Sequence, residues 1–257
     1  IFYSVKTQFN CIPTNIPFAN GEEIIYDIKY NMANAWVPAG KVRFLVKDSL
    51  YQNKDCYYIE GKGKTLKNYD WFFRVRDKYA SFVSKETLKP AHFIRRVREG
   101  DFSLNYDYFF DYSVNQAFVK EKKKDKSNEE TINISSCAYD LMTSVYYARA
   151  IDFNELKFGD SIPIDIIIDK VVYEDVNIIY EGKKIITTQH NRRINCIHFK
   201  IDLIEGTIFK SGEKMSIYVT DDENKVPIYV EAEILVGAIK VFVSSIKNTK
   251  KTIQYLP

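Results

Sequence analysis

The chain has 257 residues, a formal net charge of +3, and many aromatic residues (19 Tyr, 17 Phe and 2 Trp) beside only 10 Gly and 7 Pro. This composition excludes disordered and collagen-like chains, which are poor in aromatic residues or rich in Gly and Pro. The sequence has no run of about 18 apolar residues, so we expect no transmembrane segment.

Acidic and basic residues are interleaved along most of the chain. Proteins that bind nucleic acid concentrate Lys and Arg on one face, and we therefore expect no nucleic-acid partner. The densest basic runs, residues 95–98 and 122–124, have acidic neighbours. We interpret them as solvated surface, with a polyanion site as the alternative.

Alternation of apolar and polar residues predicts β-strands in much of the sequence. The clearest examples are residues 26–32, 42–47, 104–110, 197–203 and 215–220. Short polar turns separate such segments, which favours antiparallel pairing because parallel strands need long crossovers. We predict a mainly β fold with twelve or more strands, arranged as a large curved antiparallel sheet or an open barrel.

One segment breaks this pattern. Apolar residues recur at helical spacing from Ser136 to Ala150, which predicts one central α-helix with Ser135 or Ser136 as its N-cap. Residues 120–130 are highly charged and are predicted to form a mobile loop at a hairpin tip. Residues 180–184 and 221–225 are predicted turns, with Gly182 or Asn224 in the left-handed conformation.

The chain is interpreted as an N-terminal arm, residues 1–19, followed by a single mainly β domain, residues 20–257. Segments 20–121 and 159–245 resemble each other weakly, which indicates either two similar halves or chance similarity between strands. Ile1 is not Met, so the sequence is expected to begin after a cleaved signal peptide or at a trimmed start.

The sequence lacks the short motifs of common hydrolases, NTPases, dehydrogenases and zinc proteases, and we predict that it is not an enzyme and has no cofactor. Cys196 and His198 are interpreted as strand residues and Asp221-Asp222 as a turn, so no metal site is predicted. Cys56 is also interpreted as a buried strand residue, and whether it pairs with Cys196 stays open. Lipid anchoring at Cys11 is not expected.

The aromatic residues are the main functional signal. Consecutive rings in one strand must point to both faces of a sheet, so some rings face either the helix, an apolar ligand or a protein partner. The residues predicted to line an apolar ligand site are Trp36, Trp71, Phe73, Tyr106, Tyr108 and Tyr146.

The order of several motifs resembles the bacterial domain-of-unknown-function 3108 family. These motifs include Gly21-Glu22, Tyr146-Tyr147-x-Arg149, Gly159-Asp160 and the segment from Ile217 to Asp222. The resemblance implies an exported protein of Gram-negative bacteria with mainly antiparallel β structure, and it supplies no functional residues.

We therefore expect a periplasmic or cell-surface protein that binds an apolar or lipid-like ligand without catalysis. One alternative is an interaction or scaffold protein that docks an envelope protein partner. The other is an enzyme that acts on an envelope polymer.

Overall fold

Fifteen β-strands and one α-helix make up the residues that the computed structural model describes, which are 11–13, 15–32, 35–71, 73–203, 212–234 and 237–257. Residues 1–10 and 14 of the predicted arm lie outside the described residues. The strands are β1 (Glu23–Met32), β2 (Ala35–Tyr51), β3 (Lys54–Thr65), β4 (Arg76–Ser84), β5 (Pro90–Glu99), β6 (Phe102–Asp111), β7 (Gln116–Lys123), β8 (Lys126–Asn133), β9 (Ala138–Asp140), β10 (Ser161–Ile168), β11 (Val171–Thr187), β12 (Arg193–Asp202), β13 (Lys214–Thr220), β14 (Pro227–Glu233) and β15 (Ala238–Lys247). The helix α1 spans Leu141–Ala150, and a short 3-10 helix spans Lys67–Tyr69.

All fifteen strands belong to one sheet, in the order β8-β7-β6-β5-β4-β3-β2-β1-β15-β14-β13-β12-β11-β10-β9. Strands β1 to β8 form one antiparallel meander, β10 to β15 form a second, and pairing of β1 with β15 joins the two. The short β9 pairs in parallel with β10. The edge strands β8 and β9 do not close the sheet, which confirms the predicted large, mainly antiparallel sheet.

The sheet curves around α1. The helix contacts β3 and β4 on one side and β9 and β10 on the other. The turn between β10 and β11 reaches the first meander, where Asp169 pairs with Arg95 and Lys170 Nζ lies 2.8 Å from Glu121 Oε2. Gly61 in β3 allows close approach of the helix, because a Cβ there would lie 3.1 Å from the Sδ of Met142. The concave face of the sheet therefore encloses the helix.

The two ends of this curved sheet differ. At the closed end, the Phe18 ring packs edge-on against Tyr146 at 5.0 Å, and the buried Arg149 donates to Glu22. The opposite end, which we call the rim, carries the turns that follow β3, β5, β7 and β10, together with the end of β1 and the start of β2. The N-terminus of α1 lies toward the rim and its C-terminus toward the closed end.

The helix begins later than the sequence predicted. Ala138–Asp140 is strand β9, and Asp140 rather than Ser135 or Ser136 is the N-cap, because its side chain accepts hydrogen bonds from the backbone N–H groups of Met142 and Thr143. Ser135 instead donates to Asp165 in β10 at 2.5 Å. Pairing with β10 thus overrides the helical spacing of residues 136–140.

The charged run at residues 120–130 is not a loop, and the prediction of a mobile loop there is wrong. The segment forms most of β7 and β8, joined by a two-residue turn at Lys124 and Asp125. Alternation of apolar and polar residues does not reveal β8, because both faces of this edge strand are largely exposed and opposite charges face each other, as in the Lys120–Glu129 pair.

One of the two predicted turns is correct. Residues 221–224 do form the bend between β13 and β14, but Lys225 rather than Asn224 has the positive φ, at 45°. Residues 180–184 lie within β11, where the pairing with β12 shifts between Tyr180 and Lys183. Gly182 has a φ of 88°, so its left-handed conformation forms a β-bulge and not a turn.

The two predicted halves share one backbone arrangement. Gly21 N–H donates to Val46 O and Val46 N–H to Glu22 O, each at 2.9 Å. Gly159 N–H donates to Tyr180 O at 2.9 Å, and Tyr180 N–H donates to Asp160 O at 2.8 Å. Both glycines have a positive φ, 83° and 87°. Duplication of the half-sheet itself stays a prediction.

Neighbouring rings point to opposite faces of the sheet, as expected from the sequence. On the convex face they form two stacked rows across the strands. The first row is Tyr58, Phe82, His92, Phe109 and Phe118, and the second is His198, Tyr218, Tyr229 and Phe242. The closest pairs are 4.4 Å and 4.3 Å between ring centroids, so cross-strand stacking accounts for much of the aromatic content.

Cys11 and Cys137 form a disulfide bond across 126 residues, a pair that the sequence analysis did not identify. It fastens the segment before β1 to the segment before β9. Cys56 and Cys196 are free and buried, as expected for strand residues. Burial raises the pKa of the Cys196 thiol to about 12.

Candidate functional site

Two cavities lie inside the curve of the sheet, one on each side of the N-terminal turn of α1. Leu141, Ile168 and Asp169 border both cavities and separate them. We call the larger cavity chamber 1 and the smaller one chamber 2. Both have volumes in the range of small-molecule sites, about 300–1,000 Å³.

Chamber 1 has a volume of about 700 Å³ and lies against β4 to β7. Alternate residues of these antiparallel strands supply its wall, because side chains at positions i and i+2 point to the same face. The wall combines aromatic, aliphatic and charged side chains: Tyr79, Phe93, Arg95, Val97, Glu99, Phe102, Leu104, Tyr106, Tyr108, Glu121 and Lys123, with Ile167 from β10.

Several charged groups of chamber 1 are engaged with neighbouring side chains. Arg95 pairs with Asp169 and lies between the rings of Tyr79 and Tyr106, with centroid distances of 5.7 Å and 5.9 Å. Tyr106 Oη donates to Glu121 at 3.2 Å, and burial raises the pKa of Tyr106 to about 12. Among the described residues, the buried Nε of Arg95 has no hydrogen-bond partner. Chamber 1 therefore has an amphipathic wall with one hydrogen-bond donor, the Nε–H of Arg95, available to a ligand.

Chamber 2 has a volume of about 360 Å³ and lies between α1 and strands β10 to β14. Its wall is mostly aliphatic: Leu141, Val145, Ala148, Ile164, Ile166, Ile168, Val176, Phe199, Ile201, Leu203, Met215, Ile217, Val219 and Pro227, with Ser144, Arg149, Asp169, Tyr173 and Asp202. Leu141 and Val145, on the chamber side of α1, remain 36% and 37% exposed. Binding of an apolar ligand in such a cavity is favourable, because the ligand replaces water against the apolar wall.

The structure brings together only part of the predicted ligand site. Tyr106 and Tyr108 line chamber 1. Tyr146 is buried on α1 between Phe18 and Phe44 and does not line either chamber. Trp36, Trp71 and Phe73 lie at the rim, exposed by 36%, 84% and 48%, and also line neither chamber.

Sequence reasoning missed the wall of chamber 2. Ile164 and Ile166 in β10 and Met215, Ile217 and Val219 in β13 alternate with polar residues, which identifies them only as one buried face of a strand. The sequence does not show that these faces leave space between them, because the spacing of β10 from β13 depends on the curvature of the whole sheet.

The candidates for metal ligands have structural roles. His198 stacks on Tyr218 on the convex face and does not contact either chamber. Asp222 Oδ1 accepts from the N–H groups of Asn224 at 2.9 Å and Lys225 at 3.1 Å, and so holds the β13–β14 turn. The described part of the chain contains no group of three His, Cys, Asp or Glu residues arranged to hold a metal ion. Its one α-helix is also too short to cross a membrane.

Comparison with solved structures finds a similar fold in a β-barrel-like protein of the domain of unknown function DUF1849 from Brucella abortus. The TM-score is 0.60 with 8% sequence identity, over 90% of this chain and 99% of that chain. At this identity the likeness concerns the fold alone. No curated protein matches the sequence.

The family described as "Protein of unknown function (DUF3108)" matches residues 25–244, which run from β1 to β15 and include every strand that borders the two chambers. The chain belongs to the DUF3108 family.

Proposed function

We propose that the protein binds a lipid-like ligand inside the curved sheet, with an acyl chain in chamber 2 and the polar part of the ligand toward chamber 1. The observation that carries the proposal is the aliphatic wall of chamber 2. Leu141 and Val145 of α1 face it without being buried, so an apolar ligand would complete the packing of the helix against β10 to β14.

Chamber 1 supports the placement of the polar part. It adjoins chamber 2, from which Leu141, Ile168 and Asp169 separate it. Its wall contains the Arg95 guanidinium, whose Nε has no partner among the described residues. A carboxylate or phosphate in chamber 1 would accept a charge-assisted hydrogen bond from this group.

We also propose that the protein works by binding and not by catalysis, in an exported location. Three ionisable groups of chamber 1 are held in ion pairs, since Arg95 pairs with Asp169 and Glu121 pairs with Lys170. Side chains held in ion pairs are suited to positioning a ligand more than to transferring protons. The Cys11–Cys137 disulfide supports export, because disulfides persist mainly in oxidising compartments.

Palmitate binding tests the ligand proposal. Isothermal titration should show saturable binding to the wild type with a negative heat-capacity change, the mark of apolar burial. Val145→Trp should abolish binding, because the indole would occupy chamber 2. Val114→Trp is the matched control, since Val114 is 59% exposed in the β6–β7 turn and lines neither chamber.

Two results would overturn the proposal. One is equal palmitate affinity of the wild type and a folded Val145→Trp variant. The other is the absence both of palmitate binding and of any co-purifying lipid in native mass spectra of the protein from its own host.

A further inference from the structure

The rim concentrates the exposed aromatic residues of the molecule. Six aromatic side chains are among the large apolar residues that are exposed in the described part of the chain, and four lie at the rim. These four are Trp36, Trp71, Phe73 and Phe102. They include both tryptophans of the chain, and Trp71 is 84% exposed. Exposed rings grouped at one end of a molecule indicate an interaction surface.

The first meander carries positive charge at this end. The turns after β3, β5 and β7, taken with two residues of each flanking strand, are residues 64–77, 98–103 and 122–127. They contain nine basic and five acidic residues, an excess of four, whereas the whole chain has a formal charge of +3. The remaining residues together are therefore slightly acidic. The two basic runs noted in the sequence, residues 95–98 and 122–124, come together here because β5 and β7 both pair with β6.

The rim rings and cations are continuous with the chambers. Phe102 and Lys123 line chamber 1, and the Lys123 Nζ lies 5.3 Å from the centre of the Phe102 ring. The Phe73 ring contacts the β5–β6 turn, since a Cβ at Gly100 would lie 3.5 Å from it. Chamber 2 also reaches this end through Leu203 and Met215. A surface pressed against the rim would thus face both chambers.

We propose that the rim docks on the surface of a lipid bilayer that contains anionic phospholipids. Trp and Phe side chains partition into the headgroup region of a bilayer, where an indole ring can bury its apolar part and keep its N–H hydrated. Exposed Lys and Arg beside them are attracted by anionic headgroups, and each strengthens binding about fivefold. Outside the rim, the described part of the chain has two exposed rings, Phe118 and Phe158, and Phe158 lies between Lys157 and Asp160 in the sequence.

Co-sedimentation with vesicles tests the docking surface. The wild type should bind vesicles of equal parts phosphatidylcholine and phosphatidylglycerol, bind vesicles of phosphatidylcholine alone much more weakly, and lose affinity as salt is raised. Trp71→Ala combined with Phe73→Ala should weaken binding several-fold. Lys124→Glu should weaken it at least about fivefold.

Matched controls come from the closed end. Phe158→Ala removes a ring that is 74% exposed, and Lys54→Glu reverses an exposed charge at the start of β3. Both variants should bind vesicles like the wild type. Equal loss of binding in rim and control variants would overturn the proposal. The proposal would also be overturned if the folded wild type did not bind the anionic vesicles. This holds too if cross-linking captures only a protein partner at the rim.

This inference concerns the outer surface and extends beyond the proposed ligand. The two proposals fail separately. Val145→Trp should abolish palmitate binding and leave vesicle binding intact, whereas the Trp71→Ala and Phe73→Ala double variant should keep its palmitate affinity in solution and lose vesicle binding.

Discussion

A buried ion pair ties the closed end of the molecule together. Arg149 Nη1 donates to Glu22 Oε1 at 2.6 Å, Nη2 donates to Oε2 at 2.9 Å, and the side chains are 3% and 0% exposed. The guanidinium also donates to the backbone carbonyls of Asn224 and Pro17. This one side chain therefore joins α1, the segment before β1 and the β13–β14 turn.

Removal of one partner of this pair should be costly. Glu22→Gln leaves a buried guanidinium without a compensating charge, and we expect a loss of about 3–5 kcal/mol in the free energy of unfolding. Adding Arg149→Met should recover part of that loss. Urea denaturation measures both, with the exposed Glu223→Gln as the control, which should cost under about 0.5 kcal/mol. A Glu22→Gln variant as stable as the control would contradict this assignment.

His198 should make the stability of the protein depend on pH. Burial, with a smaller effect from Lys184, lowers the pKa of His198 to about 4 from its ordinary value of 6.5. Neither ring nitrogen has a hydrogen-bond partner among the described residues. Because the unfolded chain takes up this proton more readily than the folded one, the stabilisation is complete above about pH 6.5 and is lost as the pH falls toward 4.

His198→Phe should remove this dependence and keep the stacking on Tyr218. Relative to the variant, the wild type should lose stability from about pH 6.5 down to 4, while the difference between the two should be constant above pH 7. Urea denaturation across this range measures the effect. Parallel pH profiles of the two proteins from pH 8 to 4 would show that His198 is not the group responsible.

At the scale of elements, the disulfide fixes the N-terminal segment against the rest of the fold. Tyr139 Oη donates to the carbonyl of Cys11 at 2.5 Å, and Phe18 further along the segment packs on Tyr57 and Tyr146. Opening a loop of 126 residues should reduce stability, mainly through the larger entropy of the unfolded chain.

We expect the double variant Cys11→Ser and Cys137→Ser to lose about 2–4 kcal/mol of unfolding free energy. Reducing agent should lower the Tm of the wild type and leave the Tm of the double variant unchanged. Cys56→Ala is the control and should keep the response to reducing agent, because Cys56 is a free thiol. A wild-type Tm that is insensitive to complete reduction would contradict the prediction.

The sequence pattern predicts those strands that have one buried face, because apolar and polar residues alternate along them. The alternation in β6 places Tyr106 and Tyr108 on one face, and that face lies toward chamber 1. The sequence pattern does not predict strand β8 or the start of the helix at Leu141. Pairing with a neighbouring strand decides both. Aromatic rings stand out in the sequence, whereas the aliphatic wall of chamber 2 gives no comparable signal there.

For the whole molecule, the important contacts are those that join the two meanders across the concave side. The β10–β11 turn carries Asp169 and Lys170, both with positive φ, 49° and 70°. Lys170 Nζ lies 2.8 Å from both Glu121 Oε2 and Glu130 Oε1, and Lys170 N–H donates to Tyr108 Oη at 3.1 Å. These contacts hold the turn over the boundary between chambers 1 and 2.

Because sheet pairing does not link β8 to β9, these ion pairs should control how far the two meanders open. Lys170→Met should speed hydrogen exchange in β7, β8 and the β10–β11 turn and leave β1 and β15 unchanged. Lys183→Met, which removes the more exposed pair with Asp221, is the matched control.

The hydrogen bond from Lys170 lowers the pKa of Glu121. The stabilisation that this pair contributes is therefore complete above the ordinary glutamate pKa and is lost as the pH falls through the pKa of the folded state. After correction for the slower intrinsic exchange of amides in acid, the protection of the turn should therefore fall with the pH in the wild type and much less in Lys170→Met. Equal exchange in Lys170→Met and Lys183→Met at neutral pH would show that the strands around α1, and not this turn, set the width of the opening between the meanders.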